Sequence, residues 1–262
     1  LIAGMREALA DAPQSISVPE LKEIASQMPA LGHALIALHR RHAEAQTQLE
    51  TMAIRLGDDR SHLSAAQAMP FEVVRDFFFA HQNHFDEIDQ RAEALALEAG
   101  VSGALLVDWL ADRLLKRHKV RLSAAADDLP GKRIFDGAQR TLQLSTRLAP
   151  AQQVFQLATQ LALIELADVI DSLLNVPPFD SDTPSRKLAR IGLANYFAGA
   201  LLLPYARFLR TAEDLRYDID LLALKFGVGF ETVCHRLSTL QRPGAPGVPF
   251  FFVRVDRAGN IS

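Results

Sequence analysis

The sequence predicts a mainly α-helical fold with one small three-stranded sheet, so the expected fold class is α+β with helix dominant. Over most of the chain, apolar residues recur at intervals of three and four, the spacing of one face of a helix. Runs that alternate between apolar and polar residues, typical of strands, are concentrated between residues 120 and 144. The composition, 49% hydrophobic and 23% charged in 262 residues, is that of a folded globular chain.

The charge and cysteine counts exclude several kinds of protein. A formal net charge of −3 excludes a surface that is basic throughout, so DNA binding would be local or supplied by another segment. The single cysteine, Cys234, excludes a disulfide framework and an all-cysteine metal site within the chain. Apolar runs such as Leu161–Ile164 are far shorter than the roughly 20 residues of a membrane-spanning helix. We therefore expect a cytoplasmic protein without a membrane segment.

The first hundred residues are predicted to be helical. Ser17 can cap a helix whose apolar stripe runs from Leu21 to Leu38. A loop is expected from Gly57 to Pro70. One or two helices then fill Phe71 to Gly100, where the glycine is a suitable C-cap.

The middle of the chain combines helices with the predicted sheet. After a helix over Leu105–Lys116, three strands are expected around Val120–Leu122, Arg133–Phe135 and Thr141–Leu144. Asp136-Gly137 is a hairpin signal between the last two, so we predict a three-stranded meander.

Helices return after the strands. Pro150 opens a long helix to about Leu174, and a second runs from Pro184 to Leu203. Two helices over Leu215–Phe226 and Phe230–Leu240, followed by a strand over Phe250–Val255, resemble a winged helix.

Residues Leu193–Pro204 read Leu-Ala-Asn-Tyr-Phe-Ala-Gly-Ala-Leu-Leu-Leu-Pro and resemble the signature Glu-Ala-Asn-x-Phe-Ala-x-x-Leu-Leu-Met-Pro of the ImmA/IrrE family of zincin-like domains. In that family, a zinc helix with His-Glu-x-x-His precedes the signature. Here Thr159, Gln160 and Leu163 stand at those three places, and Leu193 stands at the third zinc ligand. Because these side chains cannot supply three zinc ligands, the resemblance implies a degenerate core that has lost its metal.

A wider resemblance covers almost the whole chain. The segments Ser17–Leu21, Leu31–Arg41, Val74–Phe79, Leu240–Ala245 and Val248–Arg254 resemble the short-chain fatty acid regulator family of transcription factors. That family combines an amino-terminal helix-turn-helix domain, a degenerate ImmA/IrrE core and a cysteine-bearing carboxyl-terminal domain. The resemblance implies that this chain is the ligand-sensing middle of a regulator of propionate and methylcitrate-cycle metabolism.

The same resemblance implies the ligand and the partners. The expected effector is coenzyme A or an acyl-CoA, propionyl-CoA above all, with no metal in this chain. DNA would be bound by a domain before Leu1, and a candidate iron–sulfur domain would follow Ser262. We expect a homodimer or higher homo-oligomer, divided into a helical dimerisation and effector region over 1–95, the degenerate core over 96–205 and a winged-helix-like segment over 206–262.

A helix just after residue 70 carries the first candidate residues for acyl-CoA. Arg75 and Phe79 lie four positions apart and Asn83 follows one turn later, so a guanidinium, a ring and an amide share one face. Coenzyme A phosphates need cations, and adenine needs a ring or guanidinium face. The structural alternative is that the phenylalanines belong to the core and Arg75 pairs with Glu72 or Asp76.

The second group of candidates surrounds the cleft that a lost metal would leave. Arg117 and Arg133 could bind anionic groups of the ligand, and Phe155 would help to form the floor. The alternative for these cations is a solvated basic surface. Tyr196 could reach the thioester, or it could be a core tyrosine with a satisfied hydroxyl.

Three functions compete on this evidence. The leading hypothesis is a non-enzymatic sensing domain that binds acyl-CoA and controls DNA binding by a domain outside the chain. The alternatives are a cytoplasmic zinc metallopeptidase, which Thr159, Gln160 and Leu163 argue against, and a DNA-binding winged helix over residues 215–262.

Overall fold

The structure, a computed structural model, describes residues 65–124, 132–177, 179 and 183–251, with scattered positions between Met5 and Ala37. The chain divides into two compact units, Leu1–Met52 and Ala53–Ser262. In the first unit, Leu21 and Ile24–Ser26 are helical as predicted, and Leu21 is buried. The Ser17 cap and much of the predicted apolar stripe lie outside the described residues.

The described part of the second unit begins with the helices α1 (Ala65–Ala80), α2 (Asp86–Ala99) and α3 (Ala104–His118). The predicted C-cap of α2 is confirmed, because Gly100 has a left-handed φ of 62°. The predicted loop up to Pro70 is wrong at its end, since α1 begins at Ala65 and contains Pro70. The preceding run Ala-Ala-Gln-Ala-Met consists of good helix formers, which favour the helix despite the proline.

The strands β1 (Arg121–Ala124), β2 (Arg133–Asp136) and β3 (Thr141–Leu144) form one sheet in the order β1-β3-β2. The predicted hairpin is confirmed, because β2 and β3 are antiparallel and Asp136 Oδ1 accepts hydrogen bonds from two N–H groups of the turn, at 2.9 Å each. The predicted meander is wrong, because β1 pairs in parallel with β3. Residues 125–140 supply the long connection that a parallel pair needs, which a tight turn could not.

The next helices are α4 (Pro150–Glu165), α5 (Ala167–Leu173) and α6 (Pro184–Leu202). The prediction of one helix from Pro150 to Leu174 is wrong, because the chain bends by 77° between α4 and α5. Leu166, at the bend, and Ile170 are both buried, so the bend directs the apolar side of α5 into the core. The prediction of α6 is confirmed, and Thr183 caps it by accepting a hydrogen bond from the Arg186 N–H at 3.2 Å.

Three further helices complete the described chain: α7 (Tyr205–Asp214), α8 (Ile219–Phe226) and α9 (Phe230–Ser238). The sequence pattern did not predict α7, and it placed the start of α8 four residues too early. Arg216 and Tyr217 have positive φ values of 51° and 61°, so a turn that apolar spacing does not reveal separates the two helices. Phe250 and Phe251 are not in a strand, and the rest of the predicted wing strand lies outside the described residues.

Two hydrophobic clusters form the core of the second unit. The larger extends from Phe77 to Leu201, and α6 packs against α1, α2, α4 and α5 within it. The smaller runs from Leu203 to Leu240 and joins α7, α8 and α9. The predicted fold class, mainly helical with a three-stranded sheet, is confirmed. Among the described residues no single helix could span a membrane, although two sharply bent helix pairs reach the necessary length and apolarity together.

Candidate ligand-binding site

Helix α4 carries Thr159, Gln160 and Leu163, which stand at the His, Glu and His places of the ImmA/IrrE zinc helix. Thr159 and Gln160 are buried. The Thr159 hydroxyl donates to the Phe155 carbonyl at 2.7 Å and lies 3.2 Å from Asn195 Oδ1 on α6. Within the described ranges, no group of three His, Cys, Asp or Glu side chains could hold a metal ion. The residues at this place therefore do not fit zinc.

Arg133, on β2, extends toward the same helix. In the sheet it pairs with Leu144, which is buried, so both side chains lie on one face of the sheet. Arg133 Nη1 is 3.4 Å from both the Gln156 carbonyl oxygen and Gln160 Oε1. These distances are at the long limit for hydrogen bonds, so Arg133 connects the sheet to α4 only weakly.

The Arg133 guanidinium is a buried cation without a carboxylate partner among the described residues. Its exposed fraction is 7%, and burial lowers the pKa of Arg133 to about 10, with no acid among the described residues to oppose the change. Its other N–H groups donate no hydrogen bond to the described chain, but they are not sealed from solvent. A buried cation without a counter-ion is unfavourable, so this arrangement favours an anion that arrives with a ligand.

Apolar side chains lie on the same face of the sheet as Arg133. Phe135 and Leu122 both pair with Leu142, from opposite sides of β3, and they therefore share that face. They are 37% and 40% exposed, so the face is only partly covered. Phe155 lies on α4, the helix whose Gln160 is near Arg133, and it is half-buried. We call the region formed by Leu122, Arg133, Phe135, Phe155 and Gln160 the Arg133 cleft.

The candidates on α1 lie outside the Arg133 cleft. The Arg75 side chain is 59% exposed and pairs with Asp76 at 2.9 Å, one of the two alternatives considered for it. Phe79 is 78% exposed, whereas its neighbour Phe77 is buried. Asn83 has a φ of 54°, a left-handed conformation that asparagine adopts more readily than most residues. None of the contacts described for these residues involves a residue of the cleft, and their ligand role stays a prediction.

Arg117 belongs to a cluster of ion pairs at the end of α3. It is 57% exposed and lies 3.4 Å from Glu98, which also accepts a hydrogen bond from Arg113 at 2.7 Å. Arg113 and His118 both contact Glu165 on α4, at distances of 2.7 to 2.9 Å. Burial raises the pKa of Glu165, but the hydrogen bonds from Arg113 and His118 outweigh it and lower the pKa overall. Arg117 thus has an acidic partner, Glu98, whereas Arg133 has none among the described residues.

Tyr196 is part of a buried polar network between α2, α6 and α9. Its hydroxyl donates to Asp89 Oδ2 at 2.6 Å. Asp89 is fully buried and forms a salt bridge with Arg236 at 2.5 Å, while His84 Nδ1 lies 3.3 Å from Asp89 Oδ2. Burial raises the pKa of Tyr196 far above its usual range, so the hydroxyl stays a neutral donor. The satisfied hydroxyl matches the structural alternative, and ligand contact stays a prediction.

Sequence reasoning missed several residues that these arrangements use. Phe135 could have been found, because it lies two positions after Arg133 on a strand and therefore on the same face. Leu122 could not, since its place beside the cleft depends on the parallel pairing of β1 with β3. Asp89 and Arg236 are 147 positions apart, and no local pattern links them.

Comparisons with known protein families agree with the described fold. A model of the IrrE N-terminal-like domain matches residues 116–238. A second model, described as the C-terminal part of the short-chain fatty acyl coenzyme A regulators, matches residues 239–262. The two matches are contiguous and include the sheet, helix α4 and the Arg133 cleft.

Individual proteins of the same kind are similar to this chain over its whole length. The HTH-type transcriptional regulators PrpR and RamB of Mycobacterium tuberculosis are 46% and 42% identical over all of it, which is 54% and 56% of their own lengths. The propionyl-CoA carboxylase regulator of Cereibacter sphaeroides is 42% identical over all of the chain and 55% of that protein. The chain thus spans about half the length of these relatives.

A solved structure supports the same conclusion. The M. tuberculosis transcriptional regulator of known structure is 50% identical, with a TM-score of 0.69 over 74% of this chain and 58% of that one. The resemblance read from the sequence signatures is therefore confirmed by the matched families, the relatives and the fold. The chain belongs to the short-chain fatty acyl coenzyme A regulator family and contains an IrrE N-terminal-like domain over residues 116–238.

Proposed function

We propose that this chain is the effector-binding part of a cytoplasmic transcriptional regulator of propionate and other short-chain acyl metabolism, and that it binds an acyl-CoA in the Arg133 cleft. One observation carries the proposal. Among the described residues the buried Arg133 guanidinium has no acidic partner, and it lies beside α4, where Thr159 and Leu163 stand at the two histidine places of the zinc helix and Gln160 stands at the place of its glutamate. In this proposal, the region that corresponds to the zinc site of the ImmA/IrrE family binds an anionic ligand instead of a metal.

The remaining lining suits the apolar part of such a ligand. Ligand sites are mostly apolar and contain a few placed polar groups, and the Arg133 cleft has this composition. Phe135 and Leu122 expose more than a third of their surfaces beside the cation. A short acyl chain would cover these side chains, and an anionic group of the ligand would pair with Arg133.

Regulation would follow from a shift between two arrangements of the protein. A ligand that binds one arrangement more tightly increases its population, and it can thereby change how two DNA-binding domains are spaced. In this proposal DNA is contacted outside the chain, the regulator is a homodimer or higher homo-oligomer, and the chain has no peptidase activity. The names of the relatives, which are all regulators, support this view over the metallopeptidase alternative.

Calorimetric titration of the chain with CoA thioesters tests the proposal. We expect acetyl-, propionyl-, malonyl- or methylmalonyl-CoA to bind to the unmodified chain. Arg133→Gln should weaken the binding of the tightest-binding thioester by roughly ten-fold or more, because it removes the charge-assisted hydrogen bond to that ligand's anionic group. Arg91→Gln is the matched control, since Arg91 is exposed and pairs with Glu87 on α2.

The outcomes separate the proposal from its alternatives. If none of the thioesters gives heat or a shift in melting temperature, acyl-CoA sensing by this chain is refuted. If a thioester binds but Arg133→Gln has no more effect than Arg91→Gln, the ligand lies elsewhere, and the group of Arg75, Phe79 and Asn83 becomes the next candidate. Stoichiometric zinc in the purified chain would instead support the metallopeptidase.

A further inference from the structure

The charge of the Arg133 cleft does not match a neutral acyl chain. If the acyl end of a thioester occupies the cleft, an unsubstituted chain would place methyl or methylene groups against a buried guanidinium. The cation would then lose solvent contact without gaining a counter-ion, which is unfavourable. A ligand that carries a negative charge at this end would remove the mismatch.

We propose that the Arg133 cleft selects a carboxylate borne on a short aliphatic chain, with Arg133 as its counter-ion. The inference deepens the proposed function and rests on it where the chain is part of a thioester. A carboxylate is planar, and two of its oxygens match two N–H groups of a guanidinium. Arg133 has such groups to offer, because only its Nη1 contacts the described chain, at 3.4 Å.

A carboxylate fits this place better than the phosphates of coenzyme A. The diphosphate and the ribose phosphate carry several negative charges, whereas the cleft as described contains a single cation. Arg133 is also 7% exposed, so its partner must be small and must shed much of its hydration. One buried guanidinium balances one carboxylate, and this stoichiometry favours the acyl end over the nucleotide end.

The spacing of the sheet residues indicates a short chain. Arg133 and Phe135 are two residues apart on β2, so their side chains are separated by about 7 Å along the strand. Leu122 lies on the same face, on the other side of β3. A carboxylate at Arg133 would thus lie only a few carbon atoms from the partly exposed Phe135 and Leu122.

Two ligand classes share this chemistry. One is an acyl-CoA whose acyl group ends in a carboxylate, such as malonyl- or methylmalonyl-CoA, and the other is a free short-chain acid such as propionate. Matched pairs of probes isolate the carboxylate, because malonyl-CoA is acetyl-CoA with one added carboxylate and methylmalonyl-CoA is propionyl-CoA with one added carboxylate. Propionate tests the free acid without the coenzyme.

Calorimetric titration of the chain with these five probes tests the inference. We expect the carboxylated thioester of each pair to bind about 10- to 100-fold more tightly than its neutral partner, the range of a hydrogen-bonded charge pair. In Arg133→Gln the two members should bind equally, whereas Arg91→Gln should preserve the preference. Arg133→Lys, which keeps the charge but not the planar fork, should retain only part of it.

Each result leads to a definite conclusion. Equal binding of both members of a pair by the unmodified chain would refute carboxylate selection but leave acyl-CoA sensing intact. If propionate binds as tightly as methylmalonyl-CoA, selection of a carboxylate is supported, but the proposal that the ligand is a coenzyme A thioester is contradicted. Absence of all binding would refute both proposals. The comparison of probes on the unmodified chain decides the question even if Arg133→Gln fails to fold.

Discussion

Replacement of Asp89 by asparagine tests how the two hydrophobic clusters are held together. Asp89 lies on α2, in the region of the larger cluster, and Arg236 lies on α9 beside the smaller one. Asp89→Asn keeps the size of the side chain but removes its charge. Arg236, 3% exposed, would stay buried with an amide in place of the carboxylate that is 2.5 Å away.

The expected magnitude follows from the burial of the pair. Loss of one partner from a buried ion pair costs about 3–5 kcal/mol of unfolding free energy, because the other charge remains buried and uncompensated. Here the network offers partial compensation, since Arg236 Nε also donates to the Leu203 carbonyl at 2.8 Å. That bond does not neutralise the charge, so the loss should stay within this range.

Acid should act on the same carboxylate. Burial raises the pKa of Asp89, but the charge of Arg236 and hydrogen bonds from His84, Arg236 and Tyr196 outweigh it, and the pKa falls from 3.8 to about 2. A folded pKa below the unfolded one means that the unfolded chain binds the proton first, so stability decreases as the pH falls. The shift corresponds to about 2–3 kcal/mol, present above about pH 5 and lost progressively toward pH 2.

Urea unfolding monitored by circular dichroism measures both effects. At neutral pH, Asp89→Asn should lower the unfolding free energy by about 3–5 kcal/mol, and its stability should depend less on pH in the acid range. Asp76→Asn is the matched control, because Asp76 is exposed and pairs with the exposed Arg75, so less than about 1 kcal/mol is expected. A loss in Asp89→Asn no larger than in the control would refute the reasoning.

Other substitutions test the packing around the same elements. Tyr196→Phe removes the hydroxyl 2.6 Å from Asp89 and should lower the unfolding free energy by about 1–3 kcal/mol. An unchanged unfolding free energy would mean that a water molecule takes over the hydrogen bond of the hydroxyl. Gly247→Ala would place a Cβ 2.9 Å from Leu240 Cβ and should cost about 1–3 kcal/mol. Gly199→Ala has no atom within 4 Å of the new Cβ and lies inside α6, so it should stabilise by about 0.5–1 kcal/mol. Urea unfolding checks all three, and the same sign for both glycines would contradict this account.

Local chemistry explains why most helices could be predicted. The C-cap of α2 at Gly100 and the N-cap of α6 at Thr183 depend only on neighbouring residues, and both are present. The order of the strands was predicted wrongly. The hairpin signal shows that β2 and β3 are neighbours, but it does not show which edge of that pair β1 joins. The bend after α4 depends on the burial of Leu166, which apolar spacing does not distinguish from a straight helix.

Residue types alone predict that the ImmA/IrrE positions do not hold zinc, because Thr159, Leu163 and Leu193 lack the imidazole and carboxylate groups of the family's three ligands. It also placed Arg117 and Arg133 as candidate cations near the same cleft. Only the fold shows how the surroundings of these two cations differ. Arg117 lies beside Glu98 from another helix, whereas Arg133 is buried against α4 with no acid among the described residues. Charge compensation depends on distances across the fold, and these cannot be read from the order of residues along the chain.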